Sequence, residues 1–334
     1  MESFRLLHLS DLHIGVHQKV IGFPDRRHLP QYPLGQLSLS PSSYDFDLAK
    51  AVAKHAFVRG NQLDAILITG DLATVGYTPD LTRAHAYVHA PGLPAPLPGQ
   101  PPWAWAPWLS ASGFPTLEPA GAPVVLLPGN HDRFDGWRLH AGGATFDGIF
   151  HADWDGRRKA QTLIVLQLGR ENLAIIAADF TLQRDADADV ATGGRWADMG
   201  QGKVYPAVLQ ALIQETQVQR AQYELLGVVW ALHFPPEWVG MDPALRLVDD
   251  QLLATASAGG VTHLFSGHTH EPRQYPLASN PAVQVYCAGT ATQYCAPPPN
   301  ANTLHPLEID VDSGTITAVR WTTLRWDAVR KDFV

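Results

Sequence analysis

Five short apolar segments, each ending in glycine or polar residues, constrain the fold of this chain most. Each is rich in Leu, Ile and Val, as buried strands are, and closes with Gly, Asp, Asn or His. In chain order they are FRLLHLSDLH (4–13), DAILITGDL (64–72), VVLLPGNHD (124–132), GVVWALHF (227–234) and THLFSGHTH (262–270). Residues 45–60 and 205–226, between them, carry apolar residues at helical spacing. Strands that alternate with helices predict an α/β protein.

Polar side chains follow the carboxyl ends of these predicted strands. Such ends lie at one edge of an α/β sheet, where ligands bind, so we expect the closing residues to meet in space. The side chains that would meet are oxygen and imidazole donors without sulfur: Asp11, His13, Asp71, Asn130, His131, Asp132, His233, His268 and His270. Such donors favour Mn, Fe or Zn. These side chains are more numerous than the ligands that one ion takes, and Asp71 can bridge two ions through its two oxygens. We therefore predict two divalent transition-metal ions.

Length and composition predict a single globular domain. The chain has 334 residues, of which 46% are hydrophobic and 17% are charged, as in ordinary folded proteins. Its formal net charge of −8 disfavours nucleic acid as a partner. We find no signal-like leader, no apolar stretch that could span a bilayer and only two cysteines. We therefore expect a cytoplasmic protein with no membrane partner and leave a homo-oligomer open.

Taken together, the motifs resemble those of the calcineurin-like metallophosphoesterases. They are D-x-H at 11–13, G-D at 70–71, G-N-H-D at 129–132, a lone His233 and G-H-x-H at 267–270. All five occur in the family's order and cover the chain from residue 4 to about 295. The resemblance implies an α+β sandwich, in which two mixed β-sheets pack face to face, helices flank them, and metals lie at the edge.

The resemblance also implies a role for each motif residue. Seven would be metal ligands: Asp11, His13 and His270 on one ion, Asn130, His233 and His268 on the other, and Asp71 on both. His131 would act as the general acid and Asp132 would orient it, while a hydroxide between the metals attacks phosphorus. Two divalent ions against two carboxylates leave a net positive charge, which attracts a phosphate anion.

Residues around the motifs narrow the substrate class. Ser/Thr protein phosphatases usually have Asp-Arg-Gly after the G-D motif and Glu at the position of Asp132, whereas this chain has GDLATVG and Asp132. The DNA-repair nucleases share LHLSDLHIG but normally add a DNA-capping region. The best fit is the bacterial phosphodiesterase branch, with a small-molecule phosphodiester as substrate. A phosphomonoesterase or nucleotidase, a nuclease and a non-catalytic metal-binding scaffold remain as alternatives.

We expect one domain over 1–334 with two insertions and a C-terminal hairpin. The insertion at about 89–122 is rich in Pro and Trp, so we expect it to pack on a surface, as a pocket rim, a partner contact or part of the parent fold. The segment at about 304–326 alternates around an Asp-Ser-Gly turn, which predicts a β-hairpin.

The other insertion, at about 16–44, directly follows the first predicted ligands. It contains Arg26, Arg27 and His28, whose charges could contact a substrate phosphate or base. A solvated surface loop would have the same composition, and both interpretations stay open.

Overall fold

The computed structural model consists of two large mixed β-sheets with helices against them, which confirms the expected fold class. It describes residues 1–15, 44–93, 106–133, 145–154, 163–168, 172–181, 200–240, 245–293 and 302–334. The strands are β1 (Glu2–Leu9), β2 (Ala65–Ile68), β3 (Val124–Leu126), β4 (Leu163–Leu168), β5 (Leu173–Ala178), β6 (Gly202–Lys203), β7 (Gly227–Ala231), β8 (Leu247–Val248), β9 (His263–Ser266), β10 (Arg273–Pro276), β11 (Gln284–Cys287), β12 (Thr303–Asp312), β13 (Thr315–Trp321), β14 (Leu324–Asp327) and β15 (Asp332–Phe333). The helices are α1 (Phe46–Arg59), α2 (Thr78–His89), α3 (Asn130–Arg133), α4 (Thr145–Ile149) and α5 (Pro206–Gln222).

The first sheet combines the N-terminal and C-terminal strands. Its order is β15-β14-β12-β1-β2-β3, with β13 paired to β12. β1 runs parallel to β2 and antiparallel to β12. The hairpin of β12 and β13 turns at Ser313 and Gly314, whose φ angles of 49° and 77° are those that two-residue hairpin turns need.

The second sheet has the order β10-β11-β9-β7-β5-β4, and β6 pairs with β8 in a separate two-stranded sheet. Successive residues of β5 enter two different cores because side chains alternate along a strand. Ile175 belongs to the core that also contains Leu6 and Ile309 of the first sheet. Ile176 belongs to the core that contains Leu212 of α5. The second sheet is therefore covered by the first sheet on one face and by α5 on the other.

The two longest helices begin where sequence signals place them, which confirms the predicted helical stretches. Asp45 caps α1, since its side chain accepts hydrogen bonds from the backbone N–H of Asp47 at 2.8 Å and of Leu48 at 3.3 Å. Pro206 occupies the first turn of α5, where no partner for its nitrogen is needed. Among the described residues, no helix has the length and hydropathy to cross a membrane.

The described part of the Pro/Trp-rich insertion packs on the parent fold. Trp108 lies against Phe57 of α1, with ring centroids 5.8 Å apart. Phe114 contacts Tyr87 of α2 and Tyr44, each at a centroid distance of 6.3 Å. These aromatic contacts explain the high aromatic content of that part of the insertion.

Candidate metal centre

The seven predicted metal ligands follow the carboxyl ends of strands from both sheets. They come after β1 (Asp11 and His13), β2 (Asp71), β3 (Asn130), β7 (His233) and β9 (His268 and His270). Three overlapping groups have ligand atoms within 4.8 Å of one another, namely Asp11/His13/His270, His13/Asp71/His131 and Asp71/His233/His268. The structure therefore brings the closing residues together, with Asp71 shared between groups.

The first group contains a buried carboxylate with one oxygen that lacks a hydrogen-bond partner among the described residues. Asp11 and His13 are fully buried, and Asp11 Oδ1 lies 3.1 Å from His270 Nε2. His270 Nε2 is also 3.3 Å from His13 Nε2. Within the described residues, Asp11 Oδ1 and His13 Nδ1 have no hydrogen-bond partner. A buried carboxylate oxygen without a partner is costly, so this donor set fits a cation.

The second group presents ring nitrogens that backbone carbonyls orient. His233 Nδ1 donates to Thr69 O at 2.7 Å, so Nε2 faces the centre, 2.9 Å from Asn130 Oδ1 and 3.4 Å from Asp71 Oδ2. His268 Nε2 donates to Leu245 O at 2.9 Å, which leaves the lone pair on Nδ1. Ligand histidines in metal sites are commonly held by such bonds to the second nitrogen.

Electrostatics keep the shared carboxylate of Asp71 charged. Burial opposes ionisation of Asp71, but the charges of His233 and His131 outweigh it and hold the pKa of Asp71 well below its ordinary value. Burial likewise opposes protonation of His233, yet the neighbouring Asp71 raises the pKa of His233 to about 9. Burial lowers the pKa of His268 to about 3, so that this ring is neutral and can act as a ligand at neutral pH.

His131 is held by one hydrogen bond from its ring and one from its backbone. Its ring Nδ1 donates to Thr74 O at 2.7 Å, and its backbone N–H donates to Asp71 Oδ1 at 2.9 Å. The ring lies edge to face with His13 at a centroid distance of 4.7 Å. Nε2 of His131 is therefore the nitrogen that remains for proton transfer.

The Asp132 carboxylate is held by backbone N–H groups of two loops. Its carboxylate accepts hydrogen bonds from the backbone N–H groups of Leu72 at 3.1 Å, Ala73 at 2.8 Å and Gly129 at 2.9 Å. The oxygen that contacts the His131 ring is Thr74 O, and the role of Asp132 in orienting His131 stays a prediction. Both residues lie on the helical turn α3, where consecutive side chains point about 100° apart. Asp132 thus ties the loop after β2 to the loop after β3.

The backbone at the centre is unusually constrained. Five motif residues have positive φ angles: Asp11 (53°), His13 (50°), Asp71 (51°), His268 (72°) and His270 (57°). Such conformations cost non-glycine residues about 1–3 kcal/mol each and tend to persist at functional sites. The surrounding fold therefore holds these side chains in place against a local preference for other backbone angles.

Some of the residues that shape the site could not be found from the sequence. The carbonyls of Thr69, Thr74 and Leu245 act through the backbone, and no side-chain pattern marks them. Arg26, Arg27 and His28 lie outside the described residues, so their role in substrate binding stays a prediction.

Comparisons with known proteins agree with this fold. Residues 4–272 match the family model for calcineurin-like phosphoesterases, whereas no curated protein has a significant match. A dimetal phosphatase from Danio rerio has a TM-score of 0.55 at 10% identity and covers 97% of this chain and 99% of its own. A putative 5′-nucleotidase from Staphylococcus aureus has a TM-score of 0.47 at 12% identity over 98% of this chain and 55% of its own. This chain thus spans about half the length of that nucleotidase.

Proposed function

Because the chain belongs to the calcineurin-like phosphoesterase family, we propose that it hydrolyses phosphodiesters of small molecules with the aid of two divalent metal ions. The observation that carries this proposal is the position of Asp71, which lies within reach of His13, a member of the group with Asp11 and His270, and also of His233 and His268. A shared carboxylate suits two ions a few ångströms apart, as in other two-metal hydrolases. The imidazole-rich donor set favours Mn or Fe, and Zn as a third choice.

Ligand charge supports a phosphate substrate. When bound, the two ions would supply Lewis acidity that activates water and neutralises phosphate oxygens. Asp11 and Asp71 are the only carboxylates in the two proposed ligand sets, so the pair of ions keeps a net positive charge. Asn130 contributes a neutral amide oxygen, which leaves that charge intact. A diester with one negative charge would be attracted to the centre.

The chain's own proton donor is His131. Thr74 O fixes its Nδ1, and Nε2 can then protonate the oxygen of the departing alcohol. The half-buried ring sits next to His13, a ligand of the proposed centre. No covalent enzyme intermediate is needed in this scheme.

The test compares two aryl substrates with metal-loaded enzyme. Bis-p-nitrophenyl phosphate is a diester and p-nitrophenyl phosphate is the corresponding monoester, so their kcat/KM ratio measures the substrate class directly. We expect the diester to be preferred and the Asp71→Asn variant to be inactive on both. Preference for the monoester would establish the phosphomonoesterase alternative, and no turnover of either would favour a non-catalytic scaffold. A screen of cyclic nucleotides, glycerophosphodiesters and dinucleotides would then identify the physiological class.

A further inference from the structure

A second group of potential metal ligands lies on α2, outside the centre described above. His85 and His89 are four residues apart on this helix, and that spacing puts them on one face. Asp153 faces them from the turn that follows α4. Each of the three offers one ligand atom, and these atoms all lie within 4.8 Å of one another.

The distances suit a small transition-metal ion. His89 Nε2 is 3.0 Å from both carboxylate oxygens of Asp153, and the rings of His85 and His89 have centroids 4.7 Å apart. Tetrahedral zinc, with bonds of about 2.0–2.1 Å, places its ligand atoms roughly 3.3 Å from each other. Small side-chain rotations would therefore bring all three donors to one ion.

The exposure of the group also fits. Within the described residues, the ring nitrogens of His85 make no hydrogen bond. The side chains of His89 and Asp153 are 33% and 11% exposed, which leaves a path for an ion from solvent.

The group is distinct from the proposed catalytic centre. α2 begins at Thr78, seven residues after the shared ligand Asp71. His85 and His89 lie about 10 and 16 Å further along the helix axis, given the rise of 1.5 Å per residue. None of the three residues belongs to the ligand groups that contain Asp71 or Asp11.

We propose that His85, His89 and Asp153 bind a divalent transition-metal ion of the zinc type, which fastens the segment 145–154 to α2. Two imidazoles and one carboxylate are a common zinc donor set, with water as the fourth ligand. The segment matters for the rest of the protein because its Asp147 forms a 2.8 Å ion pair with Arg133. Arg133 is buried and directly follows Asp132.

The experiment measures zinc content and local hydrogen exchange in the full-length protein. The parent, His85→Ala and Asp153→Asn proteins are dialysed against Zn²⁺ and analysed for metal. We expect the parent to hold one equivalent more than either variant. Amide exchange of peptides over 145–154, followed by mass spectrometry, should slow on Zn²⁺ addition in the parent and in neither of these two variants. Asp153→Asn retains the shape of the side chain and so guards against an effect of misfolding.

Two controls separate this site from other histidines and from the catalytic centre. His55→Ala removes a half-buried histidine of α1 that belongs to none of the described ligand groups, and it should bind zinc as the parent does. Asp71→Asn should still show zinc-dependent slowing of exchange over 145–154. Equal zinc content in the parent and both site variants would overturn the proposal. So would exchange over 145–154 that Zn²⁺ leaves unchanged in the parent, since the cluster would then be held by the His89–Asp153 hydrogen bond alone.

Discussion

At the scale of single residues, the hydrogen bond made by Nδ1 of an imidazole determines whether Nε2 is available to bind a metal or to transfer a proton. Thr74 O binds Nδ1 of His131, and Thr69 O binds Nδ1 of His233. Both rings therefore present Nε2, but to different partners. Nε2 of His233 faces Asn130 and Asp71, whereas that of His131 has no described hydrogen bond. One ring is suited to a metal ligand and the other to a proton donor.

Removal of the proposed proton donor should spare the metals. For His131→Ala we expect full metal content and a rate loss of roughly 10²–10⁴-fold with alkoxide leaving groups, the usual contribution of general acid catalysis. Aryl diesters should lose less, because p-nitrophenolate departs without a proton near neutral pH. The measurement is the dependence of kcat/KM on leaving-group pKa, together with metal analysis. Equal slowing of both substrate types with metals retained would instead assign His131 to binding of the phosphate.

Substitution of the shared carboxylate should affect both metals. Asp71→Asn removes a charge that both ligand groups use, so we expect reduced occupancy at both sites. Asn130→Ala removes a proposed neutral ligand next to His233 and should reduce occupancy mainly at one site. Metal analysis after dialysis at a fixed metal concentration distinguishes these patterns. Two full equivalents in Asp71→Asn would contradict the bridging role.

Metal binding should depend on pH through His233. Without metal, both of its ring nitrogens face oxygen acceptors, and Asp71 raises the pKa of His233 to about 9 against the effect of burial. The ring is then protonated at pH 7 and must lose a proton to bind an ion through Nε2. Apparent affinity should therefore rise with pH, up to about tenfold per unit for each displaced proton, and level off above pH 9. Calorimetric titration in buffers of different ionisation enthalpy measures the proton release, and affinity independent of pH between 7 and 9 would refute it.

At this scale the sequence predicted which side chains lie at the site, but it could not predict which backbone carbonyls contact them. That the proposed ligands lie close together could be predicted, because polar side chains after neighbouring strands meet at one edge of the sheet. The contact of His131 with Thr74 O could not, since every residue has a carbonyl. His85 and His89 did have a signal, their spacing of four on a helix. Their partner Asp153 is 64 residues beyond His89, and only the folded chain brings it near.

At the scale of elements, the turns after β2 and β3 are packed too tightly to vary. A Cβ added to Gly129 would lie 2.2 Å from Asp71 Oδ1 and 2.5 Å from the Asp71 backbone nitrogen. Asp132 binds the same two loops together through three backbone N–H groups. The glycine is therefore required by the approach of the two loops.

Gly129→Ala should lower both stability and metal content. Relief of the clash requires a backbone shift, which typically costs about 1–3 kcal/mol and would move Asp71. Gly148→Ala in α4 is the matched control, because a Cβ there meets no atom within 4 Å. It should leave metal content unchanged and stabilise the helix by about 0.5–1 kcal/mol. Denaturant unfolding and metal analysis of both variants are the measurements, and equal behaviour of the two would refute the tight-turn argument.

The predicted elements were those with strong local patterns. Continuous apolar runs identified β1, β2, β3, β7 and β9, and helical spacing identified α1 and α5. Which strands pair with each other was harder to predict. β12 lies beside β1 over residues that are about 300 positions apart in the chain, and its alternation predicts a hairpin without specifying which other strand it joins. Partner choice depends on packing between distant segments.

At the scale of the whole molecule, the proposed centre connects the two sheets. Asp11, His13, Asp71 and Asn130 follow strands of the first sheet, and His233, His268 and His270 follow strands of the second. Each of the two proposed ions would take ligands from both sides. Metals at this position would therefore act as cross-links between the two halves of the sandwich, in addition to their chemical role.

Removal of metal should consequently abolish activity and lower global stability together. An ion that binds only the folded protein stabilises it by about 2.7 kcal/mol at a free concentration of 100 times its Kd. Chelation should therefore reduce the melting temperature, and Mn²⁺ should restore both activity and stability better than Mg²⁺, given the imidazole-rich ligands. Asn130→Ala, measured in parallel, should show a smaller change in melting temperature on Mn²⁺ addition than the parent. Activity that resists a chelator would rule out the two-metal centre. A melting temperature that does not respond to Mn²⁺ would show that the ions do not cross-link the sheets.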